Sequence, residues 1–254
     1  MTNMSHRSLV LIGLTTCTLM FPMKRAKAQP GTQVPQTFET TITRTIGYRY
    51  LLYLPKEYDA KARQGFPLMI FLHGAGERGT NVQKVAVHGP PKLVAQGTNF
   101  PFIVVSPQCP ANQRWQDDVV LALLDDLCAK YNVDTNRLYL TGLSMGGYGS
   151  WSLAAKYPER FAAIVPICGG GETIDVLLAG KRKESAFKKL AIRAFHGGKD
   201  PVVPLSESQR MVDAFKRVGT DVELTIFPDA GHDSWTAAYS DPKLFEWILA
   251  HGKK

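Results

Sequence analysis

The sequence predicts a single α/β domain with a mostly parallel, twisted sheet, helices on both faces and an antiparallel hairpin at its start. Continuous apolar runs alternate with stretches of helical periodicity to the end of the chain, which favours one domain of alternating strands and crossover helices. Apolar runs without alternation are typical of strands buried on both faces of a parallel sheet. The 254 residues, 44% apolar and 20% charged, have the composition of an ordinary globular protein.

The first 28 residues read as a secretory signal peptide that precedes the domain. Met1–Arg7 is positively charged, Leu9–Phe21 is mostly apolar, and Ala26–Ala28 offers small residues for cleavage before Gln29. The apolar segment is shorter than the roughly 20 apolar residues that span a bilayer. We therefore expect a secreted or periplasmic protein without stable membrane insertion after cleavage, whereas an uncleaved signal or lipidation of Cys17 would anchor it instead.

Charge and cysteine content exclude several classes of function. The signal segment holds four basic residues and no acid, so its removal lowers the formal net charge from +8 to +4. The remaining basic residues accompany no nucleic-acid-binding motif, and we expect no nucleic-acid partner. Cys109, Cys128 and Cys168 are an odd number, which is not a disulfide framework. None pairs with a histidine at metal-ligand spacing, so we expect no metal and no cofactor.

Strand patterns begin after a linker over residues 29–36, and the domain is expected over residues 37–254. Alternating apolar residues in Phe38–Thr43 and Tyr48–Leu54 predict the hairpin, with its turn near Ile46. The apolar runs that follow predict six further strands: Leu68–Leu72, Phe102–Val105, Leu138–Leu140, Ala162–Ile167, Ala191–Phe195 and Val222–Phe227.

Helical spacing of apolar residues predicts amphipathic helices between these runs. Apolar residues three and four apart occur in Val120–Tyr131, in Met211–Val218 and in Pro242–His251. Gly219 directly follows the second of these segments and is a natural helix end. The order of strands and helices therefore supports a sheet with crossover helices.

One motif predicts a nucleophile. Gly142-Leu143-Ser144-Met145-Gly146 lies between an apolar strand and a helical stretch, which is the setting of a strained turn that exposes a serine hydroxyl. The flanking glycines let the backbone make this turn without Cβ clashes. The alternative is a tight glycine turn with a surface serine, and the flanking strand and helix favour the nucleophile.

A nucleophilic serine needs a base and a group that orients the base. Asp200 follows the predicted strand Ala191–Phe195, and His232 follows Val222–Phe227, so both lie in loops at the carboxyl ends of strands. Loops at one edge of a sheet can meet in space. We therefore predict Asp200 as the acid and His232 as the base, with Asp233 left open as an alternative acid.

The other histidines have structural explanations. His73 and His196 each end an apolar strand before a glycine, where hydrogen bonding to loop backbone is expected. His88 lies in a loop rich in proline, and His251 lies near the C-terminus. His232 is therefore the candidate base.

A hydrolytic serine also needs donors for a developing oxyanion. The backbone NH of Met145 is one candidate, because it follows the nucleophile and begins a helix whose dipole favours negative charge. The glycine-rich loop His73–Gly79 offers a second, for which Ala75 is the choice by position. No phosphate-binding glycine motif is present.

Four segments together resemble a known family. Leu72–Gly79, Ser106–Pro110, Gly142–Gly147 and Gly231–Trp235 are similar to the secreted esterase, or "predicted peptidase", branch of the α/β-hydrolases. That branch is similar to feruloyl esterases, polyhydroxybutyrate depolymerases and the catalytic domain of prolyl oligopeptidases. The resemblance covers roughly residues 38–250 and implies a single-domain α/β-hydrolase with the three catalytic residues already derived.

The resemblance leaves the substrate open. Cys168–Leu190 offers space for a loop and one short helix, so we expect little or no lid and an open site suited to bulky or polymer-linked esters. Glu77, Trp115 and Trp235 are further candidates for substrate binding, with packing as the alternative for the tryptophans. A carboxylesterase is the leading expectation; a serine peptidase of prolyl-oligopeptidase type and a non-catalytic binding protein are the alternatives.

Overall fold

The computed structural model describes residues 30–31 and 33–253, so the predicted signal peptide lies outside the described residues. The chain divides into two compact units, Met1–Thr45 and Ile46–Lys254. In the first unit the described residues form no helix or strand, and Phe38 and Ile42 are 90% and 84% exposed. The strand predicted at Phe38–Thr43 is therefore wrong, because its alternating pattern has no partner strand to pack against.

Seven strands of the second unit form one sheet. They are β1 (Arg49–Tyr53), β2 (Phe66–Leu72), β3 (Ile103–Gln108), β4 (Val133–Leu143), β5 (Ala163–Ile167), β6 (Ala191–Gly197) and β7 (Asp221–Phe227). Their order across the sheet is β1-β3-β2-β4-β5-β6-β7. β1 pairs antiparallel with β3, and all other neighbours are parallel. The mostly parallel sheet is confirmed, but the antiparallel partner of β1 is β3 and not the preceding segment.

Eight α-helices surround this sheet in the part of the chain that the structure describes. They are α1 (Gly89–Ala95), α2 (Asp117–Lys130), α3 (Met145–Lys156), α4 (Thr173–Gly180), α5 (Glu184–Lys189), α6 (Ser206–Arg217), α7 (Trp235–Ser240) and α8 (Pro242–Leu249). The predicted helices correspond to α2, α6 and α8. Cys168–Leu190 contains the two short helices α4 and α5, where one was expected.

The core forms two apolar layers, one on each face of the sheet. Alternate residues of β2 separate into them: Leu68 and Ile70 join the layer under α2, α3 and α6, whereas Met69 and Phe71 join the layer under α7 and α8. All four side chains are fully buried. The prediction of helices on both faces is confirmed.

Six parallel strands, β2 to β7, end at the same edge of the sheet, and the loops that follow them gather there. In open α/β sheets, ligands bind at this carboxyl edge. Within the described residues, no helix combines the length and the apolar composition that a membrane span requires.

Candidate active site

Ser144 lies at the turn between β4 and α3, in a conformation that is rare for any residue other than glycine. Its φ is 52° and its ψ is −116°. Its backbone NH donates to Ile167 O at the end of β5, over 2.9 Å. Such strain costs on the order of 1–3 kcal/mol and is found at functional sites where the surrounding structure holds it. The turn presents the serine side chain at the carboxyl edge of the sheet.

The two glycines that flank Ser144 are required by close backbone contacts. A Cβ on Gly142 would lie 2.4 Å from Gly146 O, and a Cβ on Gly146 would lie 1.9 Å from Leu72 O. Both distances are far shorter than van der Waals contact, so only glycine lets α3 begin this close to β2. The motif therefore has the structural setting that the sequence indicated.

Three side chains from three loops form a continuous hydrogen-bonded chain. His232 Nε2 lies 2.9 Å from Ser144 Oγ, and His232 Nδ1 lies 2.7 Å from Asp200 Oδ2. Since a carboxylate accepts, His232 Nδ1 donates to Asp200, and Nε2 is left to accept from the serine hydroxyl. Asp229 and Asp233 are exposed and follow β7. The structure thus brings together the three residues selected from the sequence.

Asp200 is held as a carboxylate by its surroundings. Burial raises the pKa of this carboxyl, but hydrogen bonds from His232 and from the backbone NH groups of Val203 and Val202 outweigh it and hold the pKa below its ordinary value. Oδ1 accepts both backbone bonds, each 2.9 Å long, which leaves Oδ2 for His232. The loop after β6 therefore fixes both the charge and the orientation of Asp200.

His73 and His196 bond to backbone, as expected from the sequence. His73 Nε2 accepts from Cys109 N at 3.0 Å, so Nδ1 carries the proton and donates to Gly74 O at 2.6 Å. His196 Nε2 donates to Val203 O at 2.9 Å. Burial lowers the pKa of His73 to about 4, so this ring is neutral near pH 7. Neither ring is free to act as a base for Ser144.

The two backbone NH groups predicted as oxyanion donors each lie at the start of a helix. Met145 is the first residue of α3 and Ala75 the first of a short 3-10 helix, Ala75–Glu77, so their NH groups have no acceptor within those helices. Gly74, just before Ala75, lies against Ser144: a Cβ there would be 3.6 Å from Ser144 Cβ. Arg78 Nε donates to Ala75 O at 2.9 Å and stabilises the loop after β2.

A groove of about 620 Å³ opens beside Ser144 and runs along α3. Trp115, Met145 and Tyr148 are among its lining residues. The lining also includes four charged residues, Arg114, Lys156, Glu172 and Asp175. Tyr148 was missed by sequence reasoning, although its position four residues after Ser144 places it on the same helix face.

The candidate substrate-binding tryptophans differ in their surroundings. Trp115 is buried, and its Nε1 donates to His73 O at 3.0 Å, so it packs the floor of the groove. Trp235 is half-buried, and its ring meets His232 edge-on at 5.3 Å and His88 at 5.2 Å between centroids. Glu77 lies nearby, with Oε1 4.0 Å from His88 Nε2. No sequence motif indicated His88 as a neighbour of the site.

Cys168, Asp200 and His232 could together offer three ligand atoms to a metal, since these atoms lie within 4.8 Å of one another. Asp200 and His232 already bond to each other, however, and burial raises the pKa of the Cys168 thiol to about 12. A metal would have to displace that thiol proton and break the bond between acid and base. The three cysteines at 109, 128 and 168 are free thiols.

Comparison with known proteins shows which families the chain is similar to. The phospholipase/carboxylesterase family model matches residues 111–245, and a second family model, Esterase, matches residues 47–170. Poly(3-hydroxyoctanoate) depolymerase of Pseudomonas fluorescens is 27% identical over 177 residues, covering 63% of this chain and 63% of that protein. "Probable feruloyl esterase C" of Aspergillus terreus is 26% identical, covering 80% of this chain and 73% of that protein.

A solved thermostable esterase is 33% identical with a TM-score of 0.65, and the match covers 80% of this chain and 59% of that chain. The present chain thus spans less than two thirds of the depolymerase and of the thermostable esterase. The phospholipase/carboxylesterase model, by contrast, matches more than half of this chain, over the segment that carries Ser144, Asp200 and His232. The chain therefore belongs to the phospholipase/carboxylesterase family and has the α/β-hydrolase fold.

Proposed function

We propose that the protein is a serine carboxylesterase that cleaves carboxylic esters through an acyl-enzyme intermediate. One observation carries the proposal: Ser144 Oγ, His232 and Asp200 are joined by hydrogen bonds of 2.9 and 2.7 Å, with the serine on a strained turn. A serine alone is a weak nucleophile, and this arrangement supplies the base and the orienting carboxylate that it needs.

In the acylation step, Ser144 Oγ attacks the ester carbonyl while His232 Nε2 takes the serine proton. Asp200 stays ionised and stabilises the imidazolium through the bond to Nδ1. The oxyanion that forms is stabilised by the backbone NH groups of Met145 and Ala75, each donor contributing about 3–4 kcal/mol in hydrolases where this has been measured. The N-terminus of α3 adds a favourable dipole.

His232 then gives its proton to the leaving alcohol, which departs and leaves the acyl group on Ser144. A water molecule enters beside His232, loses a proton to Nε2 and attacks the acyl carbonyl. The acid product leaves with the serine restored. Each proton transfer uses the same nitrogen, so the leaving alcohol and the incoming water occupy the same side of Ser144.

The groove along α3 supports bulky or polymer-linked esters as substrates. It has a volume of about 620 Å³, and Tyr148, which lines it, is 37% exposed. Two of the relatives carry names of enzymes that act on a polyester and on feruloyl esters.

Secretion, or export to the periplasm with cleavage before Gln29, is also part of this proposal and rests on the sequence alone. Mass analysis of the mature N-terminus tests it.

Replacement of Ser144 tests the proposed function directly. Ser144→Ala removes the attacking oxygen, and we expect hydrolysis of p-nitrophenyl butyrate to fall by about 10⁶-fold, as for other triad serines. Ser240→Ala, an exposed serine of α7, is the matched control and should keep wild-type turnover. A fluorophosphonate probe should label the wild type and the control but not Ser144→Ala. Turnover in Ser144→Ala at the wild-type rate would contradict the assignment.

Two measurements separate the esterase from the peptidase and from a non-catalytic binding protein. A peptide anilide and an ester of matched acyl group distinguish a peptidase from an esterase, and a higher kcat/KM for the anilide would overturn the esterase proposal. A non-catalytic protein on this fold would take up no fluorophosphonate at Ser144.

A further inference from the structure

We propose that the protein binds the surface of anionic lipid bilayers through an outer surface formed by α4, α5 and the end of α6. The inference goes beyond the proposed esterase function and does not depend on it, because it concerns residues outside the catalytic groups. Two observations lead to it: three aliphatic side chains are exposed on one face of α4, and basic residues are concentrated beside them.

The outer face of α4 is apolar. Ile174, Leu177 and Leu178 are 52%, 43% and 64% exposed. They lie three and four positions apart, so they form one stripe along the helix. The opposite face already attaches α4 to the core through the buried residues Val176 and Ala179. Grouped exposed aliphatic residues of this kind are typical of surfaces that contact another molecule.

Basic residues line the surface next to this stripe. Three clefts along α5 and the end of α6 share lining residues, so they form one continuous surface. Leu177 lines the same cleft as Lys181 and Arg217, so the apolar stripe and the basic residues meet. We call the stripe and the clefts together the α4–α5 surface. Its charged residues are seven bases and two acids: Lys181, Arg182, Lys183, Lys188, Lys189, Arg217 and Lys253, with Glu159 and Glu184.

The positive charge of the protein is concentrated on this surface. Residues 29–254 have a formal net charge of +4, whereas the α4–α5 surface alone carries +5, so the rest of that segment carries −1. Lys183 and Lys188 pair with the two acids. Four exposed bases have no ion pair within the described residues: Lys181, Arg182, Lys189 and Arg217. A partner that complements this surface is therefore anionic.

The aliphatic stripe indicates which anionic partner fits. Nucleic acids and acidic polysaccharides offer negative charge but no hydrocarbon layer in which Ile174, Leu177 and Leu178 could be buried. An anionic bilayer offers both, with phosphate headgroups for the bases and the acyl boundary beneath them for the aliphatic side chains. The association is peripheral, because no helix of the described residues could span a membrane.

Helix α4 also connects this surface with the groove beside Ser144. Asp175 lines the groove, and Leu177, two residues later, lines the basic cleft. A bilayer that contacts the outer face of α4 therefore lies beside one wall of the groove. Binding would hold the groove close to esters at the lipid surface.

Co-sedimentation with sucrose-loaded vesicles tests the proposal, with the protein in the form that mass analysis of its N-terminus defines. We expect binding to phosphatidylcholine vesicles that contain about 30% phosphatidylglycerol to be at least about tenfold stronger than binding to phosphatidylcholine alone. High salt should reverse most of this difference, because it screens the charges. Equal binding to the two kinds of vesicle, or binding to neither, would overturn the proposal. Binding of soluble dextran sulfate without binding to vesicles would do so as well, because it would assign the surface to a soluble polyanion.

A pair of basic residues tests the electrostatic part. The double variant Arg182→Gln with Lys189→Gln should weaken binding to the phosphatidylglycerol vesicles by about 25-fold, since each base near an anionic bilayer contributes about fivefold. The matched control is Lys92→Gln with Lys243→Gln, which changes the net charge equally but lies in α1 and α8, on the opposite face of the sheet. The control should bind within about threefold of the wild type. Equal losses in both double variants would overturn the proposal, because net charge alone would then explain binding.

A single aliphatic residue tests the apolar part. Leu178→Ser should weaken binding by about five- to tenfold, including at high salt, because less apolar surface enters the bilayer. Val87→Ser is the matched control, since Val87 is 48% exposed but lies outside the α4–α5 surface, and binding should stay at the wild-type value. Unchanged binding in Leu178→Ser would contradict burial of the stripe in the bilayer.

The outcomes for lipid binding and for catalysis are independent. All these substitutions are at exposed positions, so the urea midpoints of the variants should stay close to that of the wild type and show that they fold. If the wild type fails to hydrolyse p-nitrophenyl butyrate but binds the anionic vesicles as described, the esterase function is overturned and the lipid-binding surface is not. Hydrolysis without vesicle binding would give the opposite result.

Discussion

Two neighbouring regions near the carboxyl edge of the sheet differ in how far their polar atoms are hydrogen-bonded. Around Ser144, both nitrogens of His232 and both oxygens of Asp200 have partners within 2.9 Å. Around His88, only a few residues away in space, Glu77 Oε2 and Trp235 Nε1 are buried and have none among the described residues. The first region is fully hydrogen-bonded within the described residues, and the second is not.

This difference has two expected consequences. If the first region is catalytic, its groups must be oriented before the substrate arrives, because reorganisation during the reaction would raise the barrier. A buried polar atom without a partner, by contrast, lowers stability, because nothing offsets its desolvation. The comparison predicts that changes in the first region lower turnover, whereas removal of an unpaired polar atom in the second costs little stability.

The largest expected effect in the first region, beyond loss of the nucleophile, comes from Asp200→Asn. Because Oδ1 accepts from two backbone NH groups, the new amide nitrogen would replace Oδ2 and face His232 Nδ1. His232 would then accept at Nδ1 and carry its proton on Nε2, where it cannot receive the serine proton. We expect kcat to fall by about 10⁴-fold, measured with p-nitrophenyl butyrate.

Asp233→Asn is the control for this variant, because Asp233 also lies beside His232 in sequence but is exposed. It should keep kcat within about threefold of the wild type, as is usual for surface changes outside such networks. The reverse result, a large loss in Asp233→Asn and a small one in Asp200→Asn, would mean that Asp233 orients the histidine.

A smaller effect, on the free energy of unfolding, is expected at His73. Its neutral ring bonds to Gly74 O in the loop before Ala75. Its pKa is lowered by burial to about 4, whereas an unfolded histidine titrates near 6.5. Between these values the unfolded chain binds more protons, so the stabilisation is present above about pH 6.5 and is lost as the pH falls toward 4. Between pH 7 and 4.5, we expect this residue to account for a loss of about 2–3 kcal/mol in the free energy of unfolding.

Urea denaturation of the wild type and of His73→Gln at these two pH values measures that contribution. Glutamine can accept from Cys109 N and donate to Gly74 O but does not titrate. The pH-dependent loss should therefore be smaller in His73→Gln by about 2–3 kcal/mol, even if the variant is less stable at pH 7. An equal pH-dependent loss in both proteins would show that His73 takes up its proton without unfolding.

The same contrast explains how much of the site could be predicted from the sequence. The setting of Ser144 is local: five consecutive residues and their flanking strand and helix define it. Asp200 and His232 could be selected because parallel strands end at one edge, so their loops converge. The grouping of Glu77, His88 and Trp235 comes from loops with no shared motif, and neither spacing nor periodicity indicates it.

The one incorrect strand has a related cause. Alternation in Phe38–Thr43 is a local signal, but a strand also needs a partner, and Tyr50 and Leu52 of β1 face Pro107 and Val105 of β3. The pairing of β1 joins residues more than fifty positions apart, which local alternation cannot indicate. Buried runs such as β2 were easier to predict, because continuous apolar sequence marks burial on both faces.

The smallest expected effect, and the sharpest comparison of the two regions, comes from the same substitution at two tryptophans. Trp115→Phe removes the donor that bonds His73 O at 3.0 Å and leaves that buried oxygen with one partner fewer, whereas Trp235→Phe removes a buried NH that has no partner among the described residues. Both variants lose a similar part of the ring. We therefore expect Trp115→Phe to be less stable than Trp235→Phe by about 1–2 kcal/mol in urea denaturation. Equal losses would show that Trp235 Nε1 is already hydrogen-bonded in the free protein, for instance to a bound water, and that the region around His88 is as fully hydrogen-bonded as the region around Ser144.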